Sequence, residues 1–189
     1  MRVGINCLTI NPAYTGGIKI YTLGLLEGFS QLPPTAHFNI YATERNKHLF
    51  ESIGKNKNFS IRAVSDFDSR MKRFVLWRLA MLKAKKPYKF MADFFYYKLS
   101  VILSAENDIL YFPNTVINPF NYTPPIVLSM HDIQQVHFPD FFQPEELKDR
   151  YVNYNLSAEN VTCMQASSAF IGQDFLSYFR SLEKSQVEV

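Results

Sequence analysis

Three places in the 189-residue chain carry residues whose types and positions could do chemistry. The first is Gly16-Gly17, between an apolar run (Val3, Ile5, Cys7, Leu8) and a segment where Ile20, Leu23, Leu26 and Phe29 recur at helical spacing. A helix start presents unpaired N–H groups and the positive end of its dipole. Glycine there lets an anion approach the backbone without meeting a side chain. The stretch therefore reads either as a diphosphate cradle or as an ordinary strand-to-helix turn. The second place is His131-Asp132, directly after the apolar run Ile126-Val127-Leu128-Ser129-Met130. An imidazole at a strand exit can donate to or accept from a sugar hydroxyl, with its tautomer set by a neighbouring acceptor. The third is the proline-marked stretch from Asn114 to Pro125, which has no clean period and reads as loop.

The elements that would position these residues alternate. Strands are expected at the N-terminus, at His37–Ala42, Phe59–Val64, Asp108–Phe112, Ile126–Met130 and Val161–Gln165, and Gln186–Val189 opens another. Helices are expected from Ile18 to a stop at Pro33-Pro34, over Glu44–Ser52, and over Ser69–Ser104 with a break near Pro87. A further helix starts at Pro144-Glu145-Glu146 and runs to about Asn160. The last is capped by Ser167 or Ser168 and puts Ile171, Phe175 and Phe179 on one face. This alternation implies one α/β Rossmann-like domain, with a mainly parallel sheet covered on both faces. In such sheets ligands bind beyond the carboxyl ends of the strands, where all three chemical stretches fall.

Composition narrows the function. The chain is 47% apolar and 20% charged, as a folded domain should be. A net charge of +3 is too small to argue for nucleic acid. Cys7 and Cys163 have no metal-ligand spacing and suggest two buried thiols in a reducing compartment. No acidic triad or His/Cys cluster implies a metal, and no apolar run approaches a membrane span. His37, His48 and His137 read as structural. The N-terminus lacks a signal-peptide layout.

Charge is concentrated in one region. Residues 70–98 hold nine Lys and Arg against Asp93 alone, a local charge of +8 that leaves −5 for the rest. Phe74, Trp77, Met81, Phe90, Phe94, Phe95, Tyr96 and Tyr97 are interleaved. Such a segment can lie on an anionic membrane surface, or its aromatics can pack inward with the lysines in water. Val75, Leu76, Leu79 and Leu82 form a stripe that suits the second reading.

Four segments in order resemble the N-terminal domain of the retaining GT-B glycosyltransferases of family four, which include mannosyltransferases. They are Thr15-Gly16-Gly17-Ile18-Lys19-Ile20-Tyr21, Tyr111-Phe112-Pro113-Asn114, Leu128-Ser129-Met130-His131-Asp132-Ile133 and Gln165-Ala166-Ser167-Ser168-Ala169-Phe170-Ile171. The resemblance implies transfer of a hexose from a nucleotide-sugar donor to a saccharide or lipid-linked acceptor with retention, and no cofactor. His131 and Asp132 become the candidate catalytic residues, with Asp132 as an orienting or loop-capping acceptor. Gly16, Gly17 and Lys19 would face the donor diphosphate; Asn11, Tyr14 and Asn114 would touch the acceptor. The family's sugar-nucleotide site lies largely on a second domain, marked by two glutamates seven residues apart. This chain holds no such pair in a suitable place. Residues 1–189 are therefore expected to be the acceptor-side half, inactive alone, cytoplasmic or peripheral at the inner face of a membrane. Two alternatives are a non-catalytic module that pairs with a separate partner domain and a membrane-docking half of a split transferase. A dinucleotide-dependent oxidoreductase would need G-x-G-x-x-G, which Gly16-Gly17 does not supply.

Overall fold

Strand β1 (Arg2–Asn6) is buried from Val3 onward. A strand buried on both faces belongs in the middle of a parallel sheet. It pairs in parallel with β2 (His37–Thr43) on one side and β4 (Ile109–Phe112) on the other. The computed structural model describes residues 1–14, 16–33, 35–65 and 69–189. Thr15 of the glycine-loop motif and Pro34 of the proline pair lie outside the described residues. With β3 (Phe59–Val64), β5 (Ile126–Ser129), β6 (Cys163–Gln165) and β7 (Val187–Glu188), the sheet has the order β3-β2-β1-β4-β5-β6-β7. Every pairing is parallel. The expected strands and the Rossmann-like α/β class are therefore present. The order reverses between β1 and β4, which places a ligand crevice at their carboxyl ends.

Side-chain alternation along the strands builds two cores. Val3, Ile5, Phe38, Ile40 and Tyr111 pack on the face covered by α1 (Gly17–Ser30), which buries Leu26. Tyr41, Leu110, Phe112 and Leu128 point the other way, into a larger cluster. That cluster is completed from α2 (Arg70–Met81), α3 (Lys85–Phe95), α4 (Tyr97–Glu106), α6 (Pro144–Asn160) and α7 (Ala169–Tyr178). Helix α5 (Gln134–His137) is a single turn after β5. Phe175 in α7 and Phe179, just past its end, are buried, Ile171 packs against the same cluster, and Ser168 caps the helix by accepting from the Ile171 N–H.

Two expectations need correction. Glu44–Ser52 is not one short helix. The chain instead makes two 3₁₀ turns, Lys47–Phe50 and Ile53–Lys55, because the Asn46 side chain is engaged with neighbouring backbone. The 69–104 region breaks near Pro87, as expected. Lys83 takes a left-handed φ of 51° and ends α2, and a second break falls at Tyr96. Pro87 sits in the first turn of α3, where its missing N–H has no helical partner to lose. The thiols also differ: Cys7 is fully buried, whereas Cys163 is only half-buried.

Gly4 makes room for a buried polar network. Asn107 donates to the Tyr41 hydroxyl (2.7 Å) and the Leu103 carbonyl (2.8 Å), and accepts from Asn39 (2.9 Å). A β-carbon on Gly4 would stand 2.7 Å from Asn107 Cγ and 2.8 Å from Leu110 Cδ2. Both are buried, so neither can swing away. Gly4→Ala is expected to cost about 1–3 kcal/mol, the usual cost of overpacking, read as a lowered denaturation midpoint with the m-value unchanged.

Candidate functional site

Beyond Asn6 the chain leaves β1 and turns back over the sheet edge. That turn is held by one residue. Asn46, fully buried, donates from its amide to the carbonyls of Cys7 and Ile10, both at 2.8 Å. Its carbonyl accepts from the Thr43 N–H (2.8 Å) and hydroxyl (3.1 Å). All the bonding atoms of its amide group thus tie the β1 exit to the end of β2. After the turn, Asn11 accepts from the Ala13 N–H at 3.0 Å, and Tyr14 projects into solvent.

Gly16 is the N-cap of α1, with φ −70° and ψ 162° and no side-chain cap. No described glycine has a positive φ. The glycine pair is thus not required by backbone conformation, and its effect at this helix start is to keep it bare. A β-carbon on Gly17 would meet nothing within 4 Å. Lys19 donates to the Pro12 carbonyl at 2.8 Å, which buttresses the loop and leaves two of its three ammonium hydrogens for another partner.

A cleft of about 520 Å³ opens above this helix start. Gly16, Gly17, Lys19, Asn11, Tyr14 and Asn114 all line it. The β1 and β4 exits therefore meet there, at the point where the strand order reverses. Asn114 is held by a hydrogen bond from its amide to the Thr9 hydroxyl. The opposite wall is α6, which the motifs did not suggest. It contributes Glu146, Asp149, Arg150 and Tyr154. Arg150 is fixed by Glu146 (2.9 Å), the Tyr154 hydroxyl (3.2 Å) and the Phe142 ring (4.4 Å to its centroid). The Arg150 guanidinium and the bare start of α1 both border this cleft and can each meet an anion, while the Glu146 and Asp149 carboxylates share the wall with Arg150. Burial pushes the Asp149 carboxyl above the usual carboxylate range.

His131 and Asp132 do not line this cleft. The half-buried His131 follows β5, and its Nε2 lies 3.0 Å from the Pro113 carbonyl. A carbonyl only accepts, so Nε2 carries the proton and Nδ1 is left as the acceptor of the neutral ring. The tautomer is thus set by the β4 exit. Asp132 accepts from the Gln134 N–H at 3.2 Å and caps the turn into α5.

Tyr21 links the two halves of the site. Its ring stands edge-on to His131, with centroids 4.8 Å apart. Its hydroxyl lies 2.9 Å from both the Tyr111 and Ser129 hydroxyls and 3.2 Å from Gln165 Oε1. Tyr111, Ser129 and Gln165 also contact one another, at 2.5 to 2.8 Å. Among the described residues, no group of three His, Cys, Asp or Glu side chains is arranged to hold a metal.

No family model and no curated protein sequence matches this chain. Solved structures do. HepE from Anabaena, crystallised with UDP and glucose, superposes with a TM-score of 0.55 at 18% identity, over all of this chain and 43% of that one. The UDP-GlcNAc 2-epimerase from Neisseria meningitidis, bound to UDP-GlcNAc, gives 0.56 at 14% identity, over all of this chain and 46% of that one. The chain spans less than half the length of either. These likenesses establish the fold as the Rossmann-like half of a GT-B architecture.

The loop clamp gives a direct test. Asn46→Ala takes the Asn46 donor from the Ile10 carbonyl and the acceptor from the Thr43 N–H, while the Cys7 carbonyl keeps the Ile10 N–H at 3.2 Å, and each unsatisfied buried group costs about 1–3 kcal/mol. The variant is expected to lose at least the lower figure in a urea titration, while Gly17→Ala, which meets open space, is expected to match the parent.

Proposed function

We propose that this chain is the acceptor-side half of a retaining GT-B hexosyltransferase of family four, with mannose among the candidate sugars. The observation that carries the reading is the convergence of Gly16, Gly17, Lys19, Asn11, Tyr14 and Asn114 on one cleft at the strand-order reversal. Two proteins of the same fold were solved with UDP or a UDP-sugar, which supports a nucleotide-sugar ligand here. In this reading the donor diphosphate sits over the start of α1, with Arg150 across the cleft. A second domain supplies most of the nucleotide contacts, and residues 1–189 alone do not turn over. His131 Nδ1 meets a hydroxyl of the reacting sugar, and Asp132 shapes the turn that carries it. No enzymic nucleophile and no cofactor is assigned. The enzyme works in the cytoplasm, at the inner face of a membrane.

Titration of the purified chain with UDP and UDP-sugars tests this reading. The amide signals of Gly16, Gly17 and Ile18 should move with a Kd on the order of 1 mM, the range of a few phosphate contacts. Sugar transfer by the chain alone, or nucleotide binding that leaves these amides unmoved, would overturn it. In the two-domain enzyme, His131→Ala should lower turnover by roughly 10²–10⁴-fold. Its cost in stability should be only about 1–2 kcal/mol, from the Pro113 carbonyl losing its donor. Activity that merely tracks the folded fraction would remove His131 from the site.

Membrane contact through residues 70–98 is part of the proposal. No helix of the described residues is long and apolar enough to cross a membrane. Yet Phe74 on α2 is 60% exposed, and Phe90 and Phe94 on α3 are 69% and 68%, with Arg78 on α2, Lys86 on α3 and Lys98 on α4 also exposed. Lys85 and Lys89 are paired with Glu159 and Asp93, so they are poor probes. Arg78→Glu with Lys86→Glu and Lys98→Glu should abolish sedimentation with anionic vesicles. Parent binding should weaken as salt rises, since exposed charges are screened over about 10 Å at 0.1 M. Binding that ignores lipid charge would return these helices to a packing role.

A further inference from the structure

A second cavity, of about 660 Å³, lies behind the 8–11 loop and adjoins the cleft. Thr9, Asn11, Asn114, Val116, Asp149 and Tyr154 line both spaces, so the two meet along one wall. The inner chamber runs from there between α2, α3 and α6 to Trp77. Its lining mixes two chemistries. Asn6, Asn11, Asn114 and Asp149 bring amide and carboxylate groups that exchange hydrogen bonds with hydroxyls. Tyr88, Tyr96 and Trp77 bring aromatic rings, against which the C–H faces of a sugar ring pack.

Asp149 is placed by its neighbours. Asn153 donates to its carboxylate at 3.1 Å, and Tyr88 donates to Asn153 at 2.8 Å. Asn153 therefore holds, while the carboxylate keeps acceptor capacity toward the chamber. The half-buried carboxylate can accept from a hydroxyl, and Arg45 and Arg73, which also line the chamber, can donate to one, so the lining suits a group rich in hydroxyls.

At the other end Trp77 both lines the chamber and is 43% exposed. Its ring lies 6.2 Å from that of Phe74. Met71, Phe74 and Leu82 continue along the outer side of α2, all at least 60% exposed. An outward apolar strip of this kind on a soluble domain marks a surface that meets something apolar. The chamber thus has a polar inner end beside the cleft and an outer end on an apolar strip.

We propose that the inner chamber receives the polar head of an amphiphilic acceptor, a saccharide carried on an apolar chain, and that the chain leaves over Trp77 onto the outer face of α2. This rests on the transferase reading and selects the lipid-linked acceptor from its two acceptor classes. The head group then enters the cleft wall at Asn11 and Asn114, on the side where the donor diphosphate is placed.

Trp77 is the single tryptophan of the chain, so its fluorescence reports on the chamber mouth. The intact chain is titrated with decyl maltoside below its micelle concentration, with maltose, and with a sugar-free decyl sulfobetaine. Decyl maltoside should blue-shift the emission saturably. Its half-saturation should lie at least about tenfold below that of either half-molecule, because two linked contacts reinforce each other. Val116→Phe, which fills the chamber, and Asp149→Asn, which removes its carboxylate at constant shape, should each weaken the response. Circular dichroism confirms folding, and Asp149→Asn decides if Val116→Phe does not fold. An equal response to the sulfobetaine means surface adsorption and overturns the inference, as does a response indifferent to Asp149→Asn. UDP titration of the Gly16 and Gly17 amides runs in parallel. UDP binding without a glycoside response sinks this inference alone. A glycoside response without UDP binding upholds the chamber as a glycolipid site and ends the transferase reading.

Discussion

The position of α1 against the sheet edge depends on a cluster of four oxygens. The hydroxyls of Tyr21, Tyr111 and Ser129 and the side-chain carbonyl of Gln165 all lie within 3.2 Å of one another. They come from α1, β4, β5 and β6, so one contact set joins a helix to three strands at their carboxyl ends. Three hydroxyls carry one hydrogen each, so at most three of the six contacts are hydrogen bonds at any instant. The protons have more than one arrangement available, and the fourth group acts as a common acceptor. Burial raises the Tyr111 phenol further from ionisation. Among the described residues the cluster tethers α1 to β5, the strand that leads to His131.

Two other buried amides repeat this logic. Asn46 holds the β1 exit against β2, and Asn107 joins β2 to α4 beneath Gly4. Parallel sheets leave their loops at one edge, and hydrophobic burial alone does not specify how those loops lie. A fully bonded amide does, because its donors and acceptors demand partners in fixed directions and an unmet bond is costly when buried. The cleft is thus framed by polar contacts, while the cores beneath it supply most of the stability.

The fold shared with HepE and the epimerase leaves chemistry open, since one fold hosts many reactions. The chemistry of this chain rests on local features. Its cleft faces a bare helix start with a guanidinium across it, and a second chamber leads toward an apolar strip on α2. Helices α2 to α4 do both things the composition allowed: Leu76, Ala80, Tyr88, Ala92 and Leu99 pack inward, while Phe74, Phe90 and Phe94 stay out.

Much of the architecture was determined by the sequence alone. Strand β3, helix α6 and the Ser168 cap follow from period, proline position and side-chain capping, which act over a few residues. The strand-end rule also identified the loops that line the cleft, because alternating elements force parallel pairing and put those loops at one edge. The helix break near Pro87 was legible, but its place was set by Lys83 and not by the proline, which a helix tolerates in its first turn, and the second break at Tyr96 was not foreseen. The tertiary structure alone decided which distant residues complete the site. Tyr21 meets partners 90, 108 and 144 positions away, and Asn46 reaches back 36 and 39. Arg150 and Asp149 reach the cleft because α6 packs across its opening, and the proton on His131 is directed by Pro113 instead of its neighbour Asp132. No local period carries such pairings; they exist only once the sheet order and the helix packing bring the side chains within bonding distance.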